Sequence, residues 1–434
     1  MTNLVQMSVE DLRAFHHKAR ERYDAFRARR LKLNLTRGKP STQQLELSED
    51  LLALPGTGNY FAQDKTDGRN YGGLEGLPEA RALFAPMLGV TPDCVVIGDN
   101  SSLALMHDTI VYSLLFGTCD STSPWSKQEV SFLCPVPGYD RHFTICEALG
   151  IRMIPVSLTD EGPDMAVVEK LVAEDARIKG IWCIPKYNNP TGTVYSDRTI
   201  ERLAAMKAAA PDFRLFWDNA YAVHHLTEER VEIANIVDAC ARHGHVNRPF
   251  VFGSTSKITL AGAGISLFAS SKANVAWYLK CAARRTIGPD KINQLRHVRF
   301  LRDQAGLMAL MDRHRAILAP KFAKVIDAFQ AVIGDSGVAT WTRPKGGYFI
   351  SLDVLSGCAR EVVRLAKEAG VELTPAGSPF PYGNDPQDTN IRIAPTFPEL
   401  HEVAQAAEGV ALCVLVATTE KLIRDRSGGI TSAA

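Results

Sequence analysis

Seven short apolar runs recur between residues 95 and 269 with helix-length stretches between them: VVIG (95–98), VSFLC (130–134), RMIPVSL (152–158), GIWCIP (180–185), FRLFWD (213–218), FVFG (250–253) and ISLFA (265–269). Runs this short and apolar on both faces are the strands of a mainly parallel sheet covered by helices on each side. The fold class is therefore α/β, with a seven-stranded sheet in a large domain over residues 51–310. After about residue 300 come a long helical stretch, a few strands around 347–352 and more helix, the order of a smaller α+β domain. An amphipathic helix over 8–31, with Leu12, Phe15, Ala19, Tyr23 and Phe26 at helical spacing, returns to it, so residues 1–50 and 311–434 are expected to form the small domain together. The insert DSTSPWSKQ (120–128) reads as a surface loop and the tail from Arg424 as a frayed end.

Composition narrows the partners. Forty-nine basic against 48 acidic residues leave a formal charge of +1, which provides no basic footprint for nucleic acid. Partners are expected to be small molecules or copies of the chain. The longest apolar run near the C-terminus, 409–418, is about half the ~20 residues of a spanning helix, so no membrane partner is expected. The N-terminus lacks the basic start and apolar stretch of a secretory signal, and the expected location is cytoplasmic. Nine cysteines stand singly, without metal-ligand spacing; they read as buried reduced thiols, and no metal site is expected.

Ligands of open α/β sheets bind beyond the carboxyl ends of the strands, so the residues after each run carry the chemistry. Asn100-Ser101-Ser102 opens a helix: an anion site, or merely an N-cap at Ser101. Tyr139, in PVPGYDRHF, is an aromatic plate at the site mouth or ordinary core. Asn189, in NNPTG, donates to a ligand oxygen or only shapes a turn. Asp218 holds a proton on a basic ring nitrogen or caps the next helix, with Tyr221 three positions on. Lys257, in STSK, is a desolvated nucleophilic amine or a surface lysine.

As an ordered set, these residues resemble the fold-type I, pyridoxal 5′-phosphate (PLP)-dependent aminotransferases of class I, over about residues 33–415. The stretches that carry the resemblance are LTRGKP (35–40), YGGLEGLPEAR (71–81), GDNSSLA (98–104), PVPGYDRHF (135–143), NNPTG (188–192), WDNAY (217–221), STSK (254–257), PKGGYF (344–349) and NIRIAP (390–395). Steps of 29 residues from Asn189 to Asp218, 39 to Lys257 and 135 to Arg392 suit that family. The resemblance implies PLP as cofactor and a large PLP-binding domain. It makes Lys257 the Schiff-base lysine and proton shuttle, and Asp218 the partner of the pyridine nitrogen. Tyr221 and Asn189 would bond the ring's phenolic oxygen, and Tyr139 would stack on the ring. Ser101, Ser102, Ser254 and Ser256 are phosphate candidates. Arg392 would pair with the substrate α-carboxylate, and Gly38 would bring its backbone close to it. Tyr71 matches a tyrosine that reaches the neighbouring subunit's phosphate, which implies a homodimer with shared active sites.

One departure stands out: where the family pattern ends in an arginine for the cofactor phosphate, this chain has Gly264, and Lys291 and Arg296 are candidates to replace that charge. The variant motifs are most similar to a divergent bacterial subgroup associated with aspartate aminotransferase activity. The implied reaction passes the amino group of an amino acid, aspartate foremost, to the 2-oxo acid 2-oxoglutarate. A C–S β-lyase of the same fold is an alternative. A MocR-like ligand-sensing module is another, although only 34 residues precede Leu35, too few for its DNA-binding part. An acidic substrate needs a second cation, for which Lys39, Arg284, Arg285, Lys291 and Arg296 are eligible. His224 and His225, just past Tyr221, read as structural.

Overall fold

The computed structural model describes residues 3–428. The chain divides into two compact units: a large one, Thr42–Asn188 with Thr193–Arg315, and a small one, Met1–Ser41, Asn189–Gly192 and Ala316–Ala434. The changeovers thus fall at 41/42 and 315/316, against the expected 50/51 and 310/311, and four residues of the NNPTG turn group with the small unit. Gly192 illustrates why, since an added Cβ there would lie 2.5 Å from Pro344 Cβ.

The large unit is built on eight strands rather than seven: β1 (Val95–Ile97), β2 (Ser131–Val136), β3 (Arg152–Thr159), β4 (Gly162–Pro163), β5 (Ile178–Cys183), β6 (Arg214–Asp218), β7 (Pro249–Ser254) and β8 (Ser266–Ala269). The extra strand, β4, is two residues at the sheet edge with no apolar run to announce it. The order is β1-β8-β7-β6-β5-β2-β3-β4. Neighbours from β3 through β2, β5 and β6 to β7 are parallel, while β8 runs antiparallel to both β1 and β7. Alternation along each strand splits the core. Leu133, Ile181, Leu215, Val251 and Leu267 belong to one cluster, and Phe132, Trp182, Phe216, Phe250 and Phe268 to the other. Because these five strands run the same way, their carboxyl ends share one edge, and the polar residues that follow them gather there.

The 120–128 insert is not a free surface loop. Trp125 is fully buried, and its Nε1 donates to Asp212 Oδ2 at 2.8 Å. Asp212 also accepts from Ser121 Oγ (2.6 Å) and Lys179 Nζ (2.7 Å). Burial pushes the Asp212 carboxyl up, but the bonds from Lys179, Ser121 and Trp125 outweigh it and hold the group below its ordinary value. All nine cysteines are free thiols; Cys119 is exposed and Cys94 partly so, contrary to the expectation of uniform burial.

In the small unit, Ser8 caps the helix Val9–Ala28 by accepting from Asp11 N, and Leu12, Ala19, Tyr23 and Phe26 are buried. That face packs on the helix Leu400–Gly428. The latter is long and apolar enough to cross a membrane, yet 67% of its most apolar window is buried within the protein, as in a core helix. The tail expected to fray from Arg424 is helical to Gly428; the remainder of that stretch lies outside the described residues. Three antiparallel strands, Ala339–Trp341, Ile350–Val354 and Asn390–Ile393, lie in that order. A second, parallel pairing joins Leu33–Asn34 to Val371–Glu372.

Candidate active site

In the large unit the chemistry gathers where β6 and β7 end. The last residue of β6, Asp218, is buried, and its Oδ1 accepts from Ala220 N at 3.2 Å. Its Oδ2 lies 3.0 Å from His142 Nε2. In this pair the imidazole N–H donates and the carboxylate oxygen accepts. His142 is itself buried and stacks on Trp182 with ring centroids 4.1 Å apart and planes 9° from parallel. Tyr139, one turn earlier, meets the His142 ring edge-on at 5.0 Å. His142 escaped the sequence reading although it lies in the quoted PVPGYDRHF; its place one helical turn after Tyr139 was the available signal.

The turn after β7 presents Lys257, whose Nζ stands 5.0 Å from the centroid of the buried Tyr221 ring. Burial lowers the Lys257 ammonium pKa below the ordinary lysine value, and the Asp218 charge opposes this only in part. The turn's backbone and hydroxyls are braced by three histidines. His224 Nε2 donates to Lys257 O (3.2 Å), and His314 Nε2 to Ile258 O (3.0 Å). His297 donates from Nδ1 to Asn293 O (2.8 Å), which leaves Nε2 to accept from Thr255 Oγ1 (3.1 Å) and Thr259 Oγ1 (2.9 Å). Desolvation pushes His297 and His314 down to about 4 and His224 well below its ordinary value, so all three are neutral at pH 7. His224 is therefore structural, gripping the lysine's own carbonyl. His225 lies 2.7 Å from the Tyr187 hydroxyl through Nδ1, and burial lowers its pKa to about 4.

The serines come together in the same unit. Ser101 caps the helix Ser102–Phe116 by accepting from Ala104 N at 3.3 Å, so its N-cap role is realised at the mouth of a 15-residue helix. Ser256 Oγ donates to Asn100 O (3.2 Å), tying this loop to the lysine turn, and Ser254 Oγ accepts from Ser256 N (3.4 Å). Hydroxyls and a helix N-terminus of this kind suit a phosphate. Gly264 sits against them: an added Cβ would lie 3.1 Å from Thr255 Oγ1 and 3.2 Å from Ser256 N. Asn293 Nδ2 holds the Ala263 and Gly264 carbonyls, each at 2.9 Å. A long side chain is thus replaced by close backbone packing. The proposed substitutes for the missing arginine are engaged elsewhere: Lys291 Nζ donates to Gly72 O and Arg296 Nε to Leu54 O, each at 2.7 Å. Tyr71, beside the Lys291 anchor, is 82% exposed.

The remaining expected residues belong to the small unit. Arg392 is buried on Asn390–Ile393, with its guanidinium 5.2 Å from the Phe349 ring centroid. Its Nη2 donates to Thr374 Oγ1 at 3.4 Å. Gly38 is required by that same ring, since a Cβ would lie 2.3 Å from Phe349 Cζ. Asn189 is buried, and among the described residues its Oδ1 has no hydrogen-bond partner.

Comparison with known proteins agrees with this geometry. A family model described as aspartate amino-transferase matches residues 7–426. A putative aminotransferase of Mycolicibacterium smegmatis is 54% identical over 96% of this chain and 98% of its own length. An aspartate aminotransferase of Corynebacterium glutamicum is 50% identical over 96% of this chain and 97% of its own. The crystal structure of an aspartate transaminase from C. glutamicum superposes with a TM-score of 0.95 at 49% identity, covering 97% of this chain and 99% of that one. By that match and the residues assembled at its strand ends, the chain belongs to the aspartate aminotransferase family.

Proposed function

We propose that this aminotransferase uses PLP to pass the amino group of aspartate to 2-oxoglutarate, with Lys257 as the amine that engages the cofactor aldehyde. The observation that carries the reading is the desolvated Lys257 beside a buried Asp218 that is held by His142. PLP, when bound, supplies an aldehyde for amine exchange and a protonated ring that withdraws electrons from the substrate Cα. Asp218 would hold the proton on the ring nitrogen, and the His142 bond fixes the carboxylate's direction. Tyr139 would cover the ring face, while the Tyr221 hydroxyl and the Asn189 amide would bond its phenolic oxygen. Ser101, Ser102, Ser254, Ser256 and the helix N-terminus would take the phosphate without the family's arginine. Lys257, neutral more readily than an exposed lysine, would accept the Cα proton and return it to the cofactor side. Arg392 would hold the α-carboxylate in a planar two-bond pair and so orient the Cα–H bond.

The exposure of Tyr71 supports a homodimer in which it completes the partner's phosphate site, and we place the enzyme in the cytoplasm. The direct test incubates purified, PLP-loaded protein with aspartate and 2-oxoglutarate and follows oxaloacetate and glutamate. Equimolar formation of both is expected. Pyruvate released from cystathionine, without amino transfer, would replace this reading with the β-lyase.

A further inference from the structure

An enzyme that exchanges aspartate for 2-oxoglutarate must read a second carboxylate, at two distances from Cα. The five cations eligible by sequence are separated by the structure. Lys291 and Arg296 are committed to backbone carbonyls. Arg285 pairs with Asp108 at 3.0 Å. Arg284 donates to Lys280 O at 3.0 Å and lies over Phe116. Lys39 alone among the five has neither a carboxylate nor a carbonyl against its Nζ among the described residues. Its ammonium rests 3.8 Å from the centroid of the Phe397 ring, itself partly exposed.

The small unit also ties the Lys39 segment to the residues that follow Arg392. Ala394 N, two residues after Arg392, donates to Leu35 O at 3.1 Å. Thr396 Oγ1 donates to Lys39 O at 3.0 Å, and the Thr396 carbonyl accepts from the buried Lys321 Nζ at 3.0 Å. The Phe349 ring touches Gly38 on one side and underlies Arg392. The backbone of Lys39 is thus pinned to the segment that follows Arg392, while its exposed side chain rests on the Phe397 ring.

We propose that Lys39 binds the distal carboxylate of dicarboxylic amino and oxo acids and sets the enzyme's substrate class; this rests on the aminotransferase reading above. The division of labour has a physical reason. The α-carboxylate always stands at the same distance from the reacting carbon, so the planar, buried Arg392 suits it. The distal carboxylate shifts by one methylene between four- and five-carbon substrates, and a flexible lysine stem with a point charge can follow it. A cation resting on an exposed aromatic face is held weakly enough to move to a carboxylate.

The test uses PLP-loaded wild type, Lys39→Gln and Lys39→Arg, measuring kcat/KM for aspartate, glutamate and alanine, with succinate as a dead-end inhibitor. In Lys39→Gln the aspartate-to-alanine ratio of kcat/KM should fall about ten- to a hundredfold, as for loss of one charge-assisted bond. Succinate inhibition should weaken in parallel, and Lys39→Arg should recover part of both. A wild-type preference for aspartate that survives in Lys39→Gln, or an equal fall for aspartate and alanine, overturns the role of Lys39 and leaves the substrate reading standing. Wild type without preference for dicarboxylic substrates overturns both.

Discussion

The lysine turn of the large unit and the Lys39–Arg392 segment of the small unit are built in opposite ways. Around Lys257 almost every polar group is assigned: neutral histidines grip the carbonyls of residues 257 and 258 and the hydroxyls of Thr255 and Thr259. Around Lys39 the backbone is pinned, but among the described residues the ammonium rests on an aromatic face. Rigid support suits a group that must meet one atom in one geometry. A loose charge suits a group that must meet carboxylates at more than one distance.

The largest effects should come from breaking the rigid side. Lys257→Ala should lose at least about a thousandfold in turnover, with no borohydride-trapped PLP adduct at position 257 by peptide mass mapping. Multiple turnover at near wild-type rate would remove Lys257 from the chemistry. Asp218→Asn should cost roughly a hundredfold in kcat, with a displaced absorbance maximum of the bound cofactor; an unchanged spectrum and rate would disconnect Asp218 from the ring. Arg392→Lys keeps the charge but not the planar pair, and should raise KM for every amino acid about tenfold or more. A rise confined to dicarboxylic substrates would move Arg392 to the distal group.

Smaller and structural, His297→Phe removes the Nε2 acceptor shared by the Thr255 and Thr259 hydroxyls and should cost about 1–3 kcal/mol, read as a lower Tm. The histidine supports also carry a sign. His297 and His314 have folded pKa values near 4, below the ordinary 6.5. The unfolded chain therefore takes up protons first as pH falls. Their stabilising contribution is complete above about pH 6.5 and is lost progressively toward pH 4. A Tm that is flat over that range, or one whose acid slope is unaltered in His297→Phe, would show that these rings are not the neutral braces described.

Much of this was legible in the amino-acid order. Seven strands and the residues closing them follow from apolar runs and the polar residues after each. What escaped needed distant partners. β4 is Gly162–Pro163, with no apolar signature. His142 meets Asp218 from 76 positions away. The serine- and proline-rich insert looked like loop because the acceptor of its Trp125 lies 87 residues further on. Lys291 and Arg296 looked available because a sequence does not display backbone carbonyls. The glycine at 264 was visible as a departure, but its reason, close packing against Thr255 and Ser256, was not.

The pairing of Val9–Ala28 with Leu400–Gly428 has a consequence for biogenesis. The large unit has all its strands in hand once residue 315 has been synthesised, whereas the first helix waits for a partner nearly four hundred residues downstream. During translation its buried face, Leu12, Tyr23 and Phe26 among them, has no native cover, and the last helix emerges as an apolar segment needing immediate docking. Assembly of the small unit is therefore a late event, after the strands of the large unit are complete, and the uncovered helix faces leave the polypeptide open to aggregation or chaperone capture in the interval.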